Sequence, residues 1–282
     1  HGLLRRQRQM CIRDRSNGLS TRSHTDNQSG CDETQHTDFY CQGVCVMIYT
    51  EYDPLQSVIV GDTYAPGDVD HLLTEGNITQ FNKILEDTKQ DLDNLADFLK
   101  QGNVEVHRPH IHNYSSVKMP EFDIRLPIAP VVPRDALMVM GNTIIQTYTS
   151  YTDRYFDAIS YYPIFEKMFK EGYRWISQPA PMLQNLNTED DWFVNDKTYK
   201  EKLWDRVLWH TATMYKAGDA FIVNQEGPGS MTGLEWCKRE LSDYKFHINE
   251  GTRFNGFGHI DHGFVMIDDD TVIHAGIDWV PQ

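Results

Sequence analysis

Cysteine is scarce: the chain has five in 282 residues, four of them at positions 11, 31, 41 and 45, so residues 47–282 hold Cys237 alone. That excludes a disulfide framework and points to a reducing compartment, the cytoplasm. Basic residues are also few, with 26 Lys and Arg against 41 Asp and Glu, a net charge of −15. Phosphate surfaces are bound through cationic patches, so nucleic acid and anionic membranes are excluded as partners. Mean hydropathy is −0.54, and no run of about 18 apolar residues marks a membrane-spanning helix. The signatures G-x-G-x-x-G, G-x4-G-K-[ST] and G-x-S-x-G are absent, so dinucleotide, P-loop and hydrolase-elbow readings lack support. What is present is an ordinary globular composition, 40% hydrophobic and 12% aromatic, enough for one large domain or two small ones.

Composition changes near residue 46. Residues 1–46 carry six Arg, no Lys and five acids, and are rich in Ser, Thr, Gln and Asn, with no apolar period before Val44. This stretch is expected to be an unstructured or non-native leader, with Met47 as the natural start; a transit peptide is the alternative. Cys41-x3-Cys45 has no answering Cys/His pair nearby, so zinc is not expected there.

Residues 47–282 repeat one kind of unit. Ser57–Val60 reads as a short buried strand closed by Gly61. A helix over 79–100 follows, with Phe81, Ile84, Leu85, Leu92, Leu95 and Leu99 at three-to-four spacing and Gly102 behind it, then a strand at Val104–Val106. Ala136–Met140 and Thr143–Gln146 flank Gly141-Asn142 as a hairpin. A helix over 153–171 comes next, with Phe156, Ile159, Ile164, Phe165, Met168 and Phe169 inward, and then a strand at Tyr173–Ile176. A third unit has a strand at Ala220–Val223, a helix over about 230–241 and a strand at Tyr244–Ile248. A fourth begins with Phe264–Ile267, the acidic turn Asp268–Asp270 and Val272–His274. Strand or hairpin, helix, strand, repeated, predicts an α/β propeller-like array rather than a doubly wound sheet; an α+β domain without a site is the plainer alternative.

Two polar groups stand at strand entrances. Gly258-His-Ile-Asp-His262 precedes the strand at Phe264, and if it is extended, His259 and Asp261 share a face. A carboxylate beside an imidazole suits cation binding coupled to proton transfer. Pro133-Arg-Asp135 precedes the hairpin at 136–147. If the entrances converge, Asp135 and Asp261 face one shared pocket, and paired carboxylates suit the planar donor fork of a guanidinium.

The blocks Pro133-Arg-Asp-Ala-Leu-Met-Val-Met-Gly-Asn142, Ala217-Gly218, Gly233-Leu-Glu-Trp236 and His259-Ile-Asp261 resemble the glycine amidinotransferase and inosamine-phosphate amidinotransferase family, as do Tyr52–Leu55, Val58–Gly61 and the stretch from Arg154 to Trp175. The resemblance implies the pentein fold, an α/β propeller of repeated ββαβ blades, here incomplete at about three and a half of five blades. It implies transfer of an amidino group from arginine to a small amine such as glycine, through a covalent amidino-cysteine and without an external cofactor or metal. By position, Asp135 and Asp261 would clamp the guanidinium and His259 would be the general acid/base. The partners implied are these small molecules, with a homo-oligomer left open.

The sequence departs from that pattern in two places. Trp209-His-Thr-Ala-Thr213 stands where the family has Phe-Asp-Ala-Ala-Asp, so His210 occupies the position of the acid that orients the catalytic His. An imidazole there cannot supply the negative charge that makes His259 more basic. The family's cysteine belongs to the fifth blade, so this chain is expected to be a fragment lacking its nucleophile and inactive by itself. Cys237 falls on the apolar face of its helix and reads as an inert thiol. Water in place of the amine would make a guanidine hydrolase of the arginine deiminase type, and a catalytically dead guanidine binder is the rival from outside catalysis. His107, His110 and His112 read as a surface loop, Asp268–Asp270 as a solvated turn, and Trp192-Phe193 beside Asp190-Asp191 as ordinary packing.

Overall fold

The computed structural model describes residues 47–112, 117–124, 126–183, 206–224, 230–249 and 259–274. The leader at 1–46, the Asp190–Phe193 group and Gly258 lie outside the described residues. The first unit pairs β1 (Ser57–Ile59) in parallel with β2 (Glu105–His107), joined by the long helix α1 (Glu75–Gln101). Leu85 and Ala96 are buried on the inner face of α1, while Ile84 and Leu95, counted inward by spacing, lie on the outer face with Phe98. A short hairpin of β3 (Val117–Lys118) and β4 (Asp123–Ile124), too short for a periodic signal, follows.

The next two units share one plan. Strands β5 (Leu137–Met140) and β6 (Thr143–Gln146) form a hairpin, helix α2 (Tyr162–Lys170) crosses over, and β7 (Arg174–Ser177) pairs in parallel with β6. Strands β8 (Met214–Ala217) and β9 (Ala220–Asn224) form a second hairpin, α3 (Met231–Glu240) crosses over, and β10 (Lys245–Asn249) pairs in parallel with β9. Strands β11 (Phe264–Met266) and β12 (Val272–His274) are a further antiparallel hairpin around the acidic turn. The turns of the two full units have the same chemistry: Gly141 at φ 58° and Gly218 at φ 74° take the first central position, where a II′ turn demands positive φ. Residues 48–50 bridge both, Ile48 pairing with Gly141 and Thr50 with Ala217.

The helix expected over 153–171 is divided: 3-10 turns occupy Thr152–Arg154 and Asp157–Tyr161, and α-helix starts only at Tyr162. Pro163 explains the boundary, since proline is accommodated in the first turn of a helix and not in its interior. Phe169, expected inward, is 60% exposed, while Ile164 and Phe165 fill the core with Tyr161. Met214–Ala217 carries no alternation because it is buried on both faces.

The largest core cluster joins both full units, placing Met138, Met140 and Ile145 against Trp209, Met214, Phe221, Leu234 and Cys237. Helix α3 reaches that core through a close backbone approach. A Cβ built on Gly233 would stand 2.0 Å from the carbonyl oxygen of Leu208. Ser230 caps the same helix, accepting from the Gly233 N–H at 2.9 Å, and its own N–H donates to the Leu208 carbonyl at 2.9 Å. Replacing Gly233 by Ala should cost about 2–3 kcal/mol of stability in urea denaturation, as overpacking against backbone does. Gly76→Ala, in an open part of α1 with nothing within 4 Å, should be neutral or stabilise by about 0.5–1 kcal/mol. Equal effects of the two changes would contradict this packing.

Candidate functional site

Three 3-10 turns stand directly before the first strands of successive hairpins: Pro133–Asp135 before β5, Thr211–Thr213 before β8 and Ile260–His262 before β11. The middle turn packs against the other two. The Thr211 hydroxyl donates to the Arg134 carbonyl at 2.6 Å, and Arg134 Nη2 donates to the Met214 carbonyl at 2.9 Å. His210 and His259 hold one register position, each being the extended residue just before its turn. Their rings stack with centroids 4.9 Å apart and planes at 24°. Asp135 completes the group, and one ligand atom from each of Asp135, His210 and His259 lies within 4.8 Å of the others.

The extended conformation expected for 259–261 is not what forms. His259 is extended, but Ile260–His262 is a 3-10 turn closed by the Gly263 N–H on the Ile260 carbonyl at 3.3 Å, so period-two alternation does not apply. Asp261 lies against Arg134, Oδ2 to Nε 3.6 Å.

Asp135 is held by a guanidinium of the chain itself. Arg154 Nη1 donates to Asp135 Oδ2, while its Nε and Nη2 reach Asp157 Oδ2 at 2.8 and 2.6 Å. Both carboxylates are buried and Arg154 nearly so, and a buried charge is tolerated when paired in this way. Burial alone would raise the Asp135 carboxyl; the neighbouring imidazoles and Arg154 outweigh it and hold the group below the usual carboxylate range. Since His210 is itself neutral near pH 7, Arg154 supplies the charge that matters there. Burial raises the Asp157 carboxyl in spite of its two contacts with Arg154.

His210 is fully buried. Loss of water pushes its pKa down to about 3, with Asp135 opposing and His259, Arg154 and Arg134 adding to the shift. It is therefore a neutral ring, and among the described residues neither of its nitrogens has a hydrogen-bond partner. The segment that carries it is pinned by the Trp209 N–H on Gln178 Oε1 at 2.7 Å and by the contact of Leu208 with Ser230.

Beside the turns, Glu51 joins Arg134 at 3.6 Å and Lys216 at 3.7 Å. Lys216 is buried, which lowers its pKa against the pull of Glu51. Arg154, Asp157, Arg134, Glu51 and Lys216 have no site role in the sequence-based reading. The i, i+3 spacing of Arg154 and Asp157 was a readable sign; the other pairings join residues far apart in sequence. Cys237 is buried beneath α3 and burial pushes its thiol up, which fits an inert side chain. His110 and His112 meet edge to face at 4.6 Å, and among the described residues they form no metal-holding group with His107.

Two hairpins, each followed by a helix and a parallel strand, with a third hairpin at the same group of acid and imidazole side chains, give an α/β fold shared with solved amidinotransferase structures. Inosamine-phosphate amidinotransferase from Streptomyces griseus superimposes with a TM-score of 0.64 at 22% identity, over 84% of this chain and 72% of that one. In sequence the chain is related to the amidinotransferases. It is 26% identical over 260 residues to mitochondrial glycine amidinotransferase of Xenopus laevis, covering 82% of this chain and 60% of that protein. It is 25% identical over 240 residues to inosamine-phosphate amidinotransferase 1 of Streptomyces griseus, covering 79% and 67%. The chain thus spans about 60% of the length of the glycine amidinotransferase it matches. No protein-family model matches the chain. Among the described residues no helix is long and apolar enough to cross a membrane.

The buried neutral His210 sets a pH dependence with a defined sign. In the unfolded chain it takes a proton below its ordinary 6.5, and in the fold it does so only near 3. Its contribution is therefore intact above pH 6.5 and is lost as pH falls from 6.5 toward 3. His210→Phe keeps a ring and removes both nitrogens. The stability of this variant relative to wild type should rise by about 1.4 kcal/mol per pH unit between pH 6.5 and 4.5. Urea denaturation at stepped pH reads the difference directly; a flat difference would mean that His210 is charged in the fold.

Proposed function

We propose that the chain carries the donor-binding and acid/base part of an amidinotransferase, with arginine as donor and a small primary amine such as glycine as acceptor. The observation that carries this reading is the gathering of Asp135, His210 and His259 at three successive hairpin entrances, in a chain related to enzymes that perform this transfer. Asp135 and Asp261 are the carboxylates for the donor guanidinium, and His259 is the general acid/base. Further units of the same plan would close the sheets into a five-bladed propeller around the site.

The chemistry assigns each group a step. A cysteine thiolate attacks the amidino carbon of arginine, the bond from that carbon to the ornithine nitrogen breaks, and His259 gives that nitrogen its proton. The incoming amine then attacks the amidino-thioether carbon, His259 takes the amine proton, and the thiolate leaves. Cys237 is unsuited to this step because its thiol is buried in the core. The nucleophile of this reading thus belongs outside the described residues. A catalytically inactive guanidine-binding protein is the second reading. It is favoured by His210, which puts a neutral ring where the resemblance expects a carboxylate, and by Arg154, which already engages Asp135.

Calorimetric titration with L-arginine tests the donor site. Binding is expected, and Asp261→Ala should weaken it at least about tenfold, equal to 1.4 kcal/mol. Affinity retained in that variant would remove Asp261 from the clamp, and absence of arginine binding by the wild type would remove the donor reading itself. Ornithine released with glycine present would mark the transferase, citrulline the hydrolase.

A further inference from the structure

We propose that Asp135, His210 and His259 form a binding site for a divalent transition metal of the zinc class, and that metal and guanidinium compete for it. The donor set comes first. Two imidazoles and one carboxylate are the ligand types that zinc accepts when a fourth position stays open, and the same set serves other first-row divalent ions. The three ligand atoms already lie within 4.8 Å of one another. Bonds of about 2.0–2.2 Å place tetrahedral ligands some 3.3–3.6 Å apart, so the group must contract by about 1 Å. His259 is the partly exposed member and can supply that movement.

His210 is the second, independent observation. It is completely buried, and both ring nitrogens lack a hydrogen-bond partner, a costly state for a polar ring. A metal would use one lone pair and remove half of that deficit.

Asp135 is prepared in the manner of a metal ligand. Arg154 holds Oδ2, which leaves Oδ1 to coordinate, and Arg154 is itself fixed by Asp157. Ligating carboxylates are commonly steadied by such outer contacts. The charge balance permits a cation. Among the described residues, Arg154 is offset by Asp135 and Asp157, and Arg134 and Lys216 by Asp261 and Glu51, so each neighbouring cation has its own carboxylate.

The competition rests on the donor-site reading given above; the metal site does not. Asp135 and His259 cannot hold a metal and serve arginine together, so occupancy by one excludes the other. The substitution of an imidazole for a carboxylate at position 210 is what creates the second ligand of this kind.

The experiment is titration of the full, untagged, reduced chain with zinc and with cobalt(II), followed by calorimetry and visible absorption. Residues 1–46 hold four cysteines, and any thiolate competes for these ions, so the reading is the difference between wild type and variants. Wild type should bind one equivalent more than His210→Phe, or the variant's affinity at that equivalent should fall about 100-fold or more, since loss even of an outer-shell partner costs 10–100-fold. His259→Gln, at a partly exposed position, should give the same loss and guards against misfolding of the first variant. Equal stoichiometry and affinity in wild type and both variants overturns the metal site, whatever arginine does. With the metal site present, arginine should lower the apparent zinc affinity in proportion to its concentration. If zinc binds through His210 and arginine has no effect, the metal site stands and the shared occupancy falls.

Discussion

One guanidinium between two buried carboxylates sets the frame of the site. Arg154 joins Asp135, at the entrance of β5, to Asp157, in the turn leading into α2, and so locks the start of a hairpin to the crossover of the same unit. Neither acid can stay ionised in that core without it, and removing one member of such a set leaves an uncompensated buried charge worth about 3–5 kcal/mol. Because Asp135 is fixed there, the turn at Pro133–Asp135 presents Arg134 outward to Glu51, Asp261 and the Met214 carbonyl. The neighbouring turn then follows, through the Thr211 hydroxyl on the Arg134 carbonyl. Through Arg134 the three entrances are thus tied to the two ion pairs of Arg154.

His210 is the point where that frame and its chemistry disagree most. A polar ring without a hydrogen-bond partner among the described residues sits there, beside Arg134 Nη1, Asp157 Oδ1, Gln178 Nε2 and Trp209 Nε1, which lack one as well. Natural cores rarely keep such a group without use, because its desolvation is not offset by any hydrogen bond. Its neutral state makes it a different element from a carboxylate: it gives His259 a stacking neighbour rather than a counter-charge.

Much of the fold was legible because local chemistry is strong where it was read. Gly141-Asn142 between two apolar runs marked a hairpin, and the Leu234–Cys237–Leu241 face marked α3. Pro163 set a limit that apolar periodicity alone ran through, so the 153–171 stretch was taken as one helix. Strand β8 was hidden because Met-Tyr-Lys-Ala, buried on both faces, has no alternation to show, and its lysine reads as solvent-facing until Glu51 is brought beside it. The site divides in the same way. Asp135 and His259 were marked by their places before strands and His210 by its place in the resemblance, but the 3-10 turn at 260–262 was not, since His259 and Asp261 two residues apart also fit an extended entrance. Of the arginines that hold the acids, Arg154 shows in the sequence only its i, i+3 spacing to Asp157, and Arg134 becomes visible only in three dimensions because Glu51 and Asp261 come from distant segments.

The bridge made by residues 48–50 has a consequence for how the chain is built. That segment is synthesised before everything else described, yet its partners are the turn at Gly141 and the strand end at Ala217. It must wait, unpaired, until two whole units have been made and folded. Contacts so distant in sequence are late and slow to form, and an extended segment left open meanwhile is exposed to pairing with other chains. The same segment that finally clasps two hairpins is thus the part of the fold most dependent on the order and pace of synthesis.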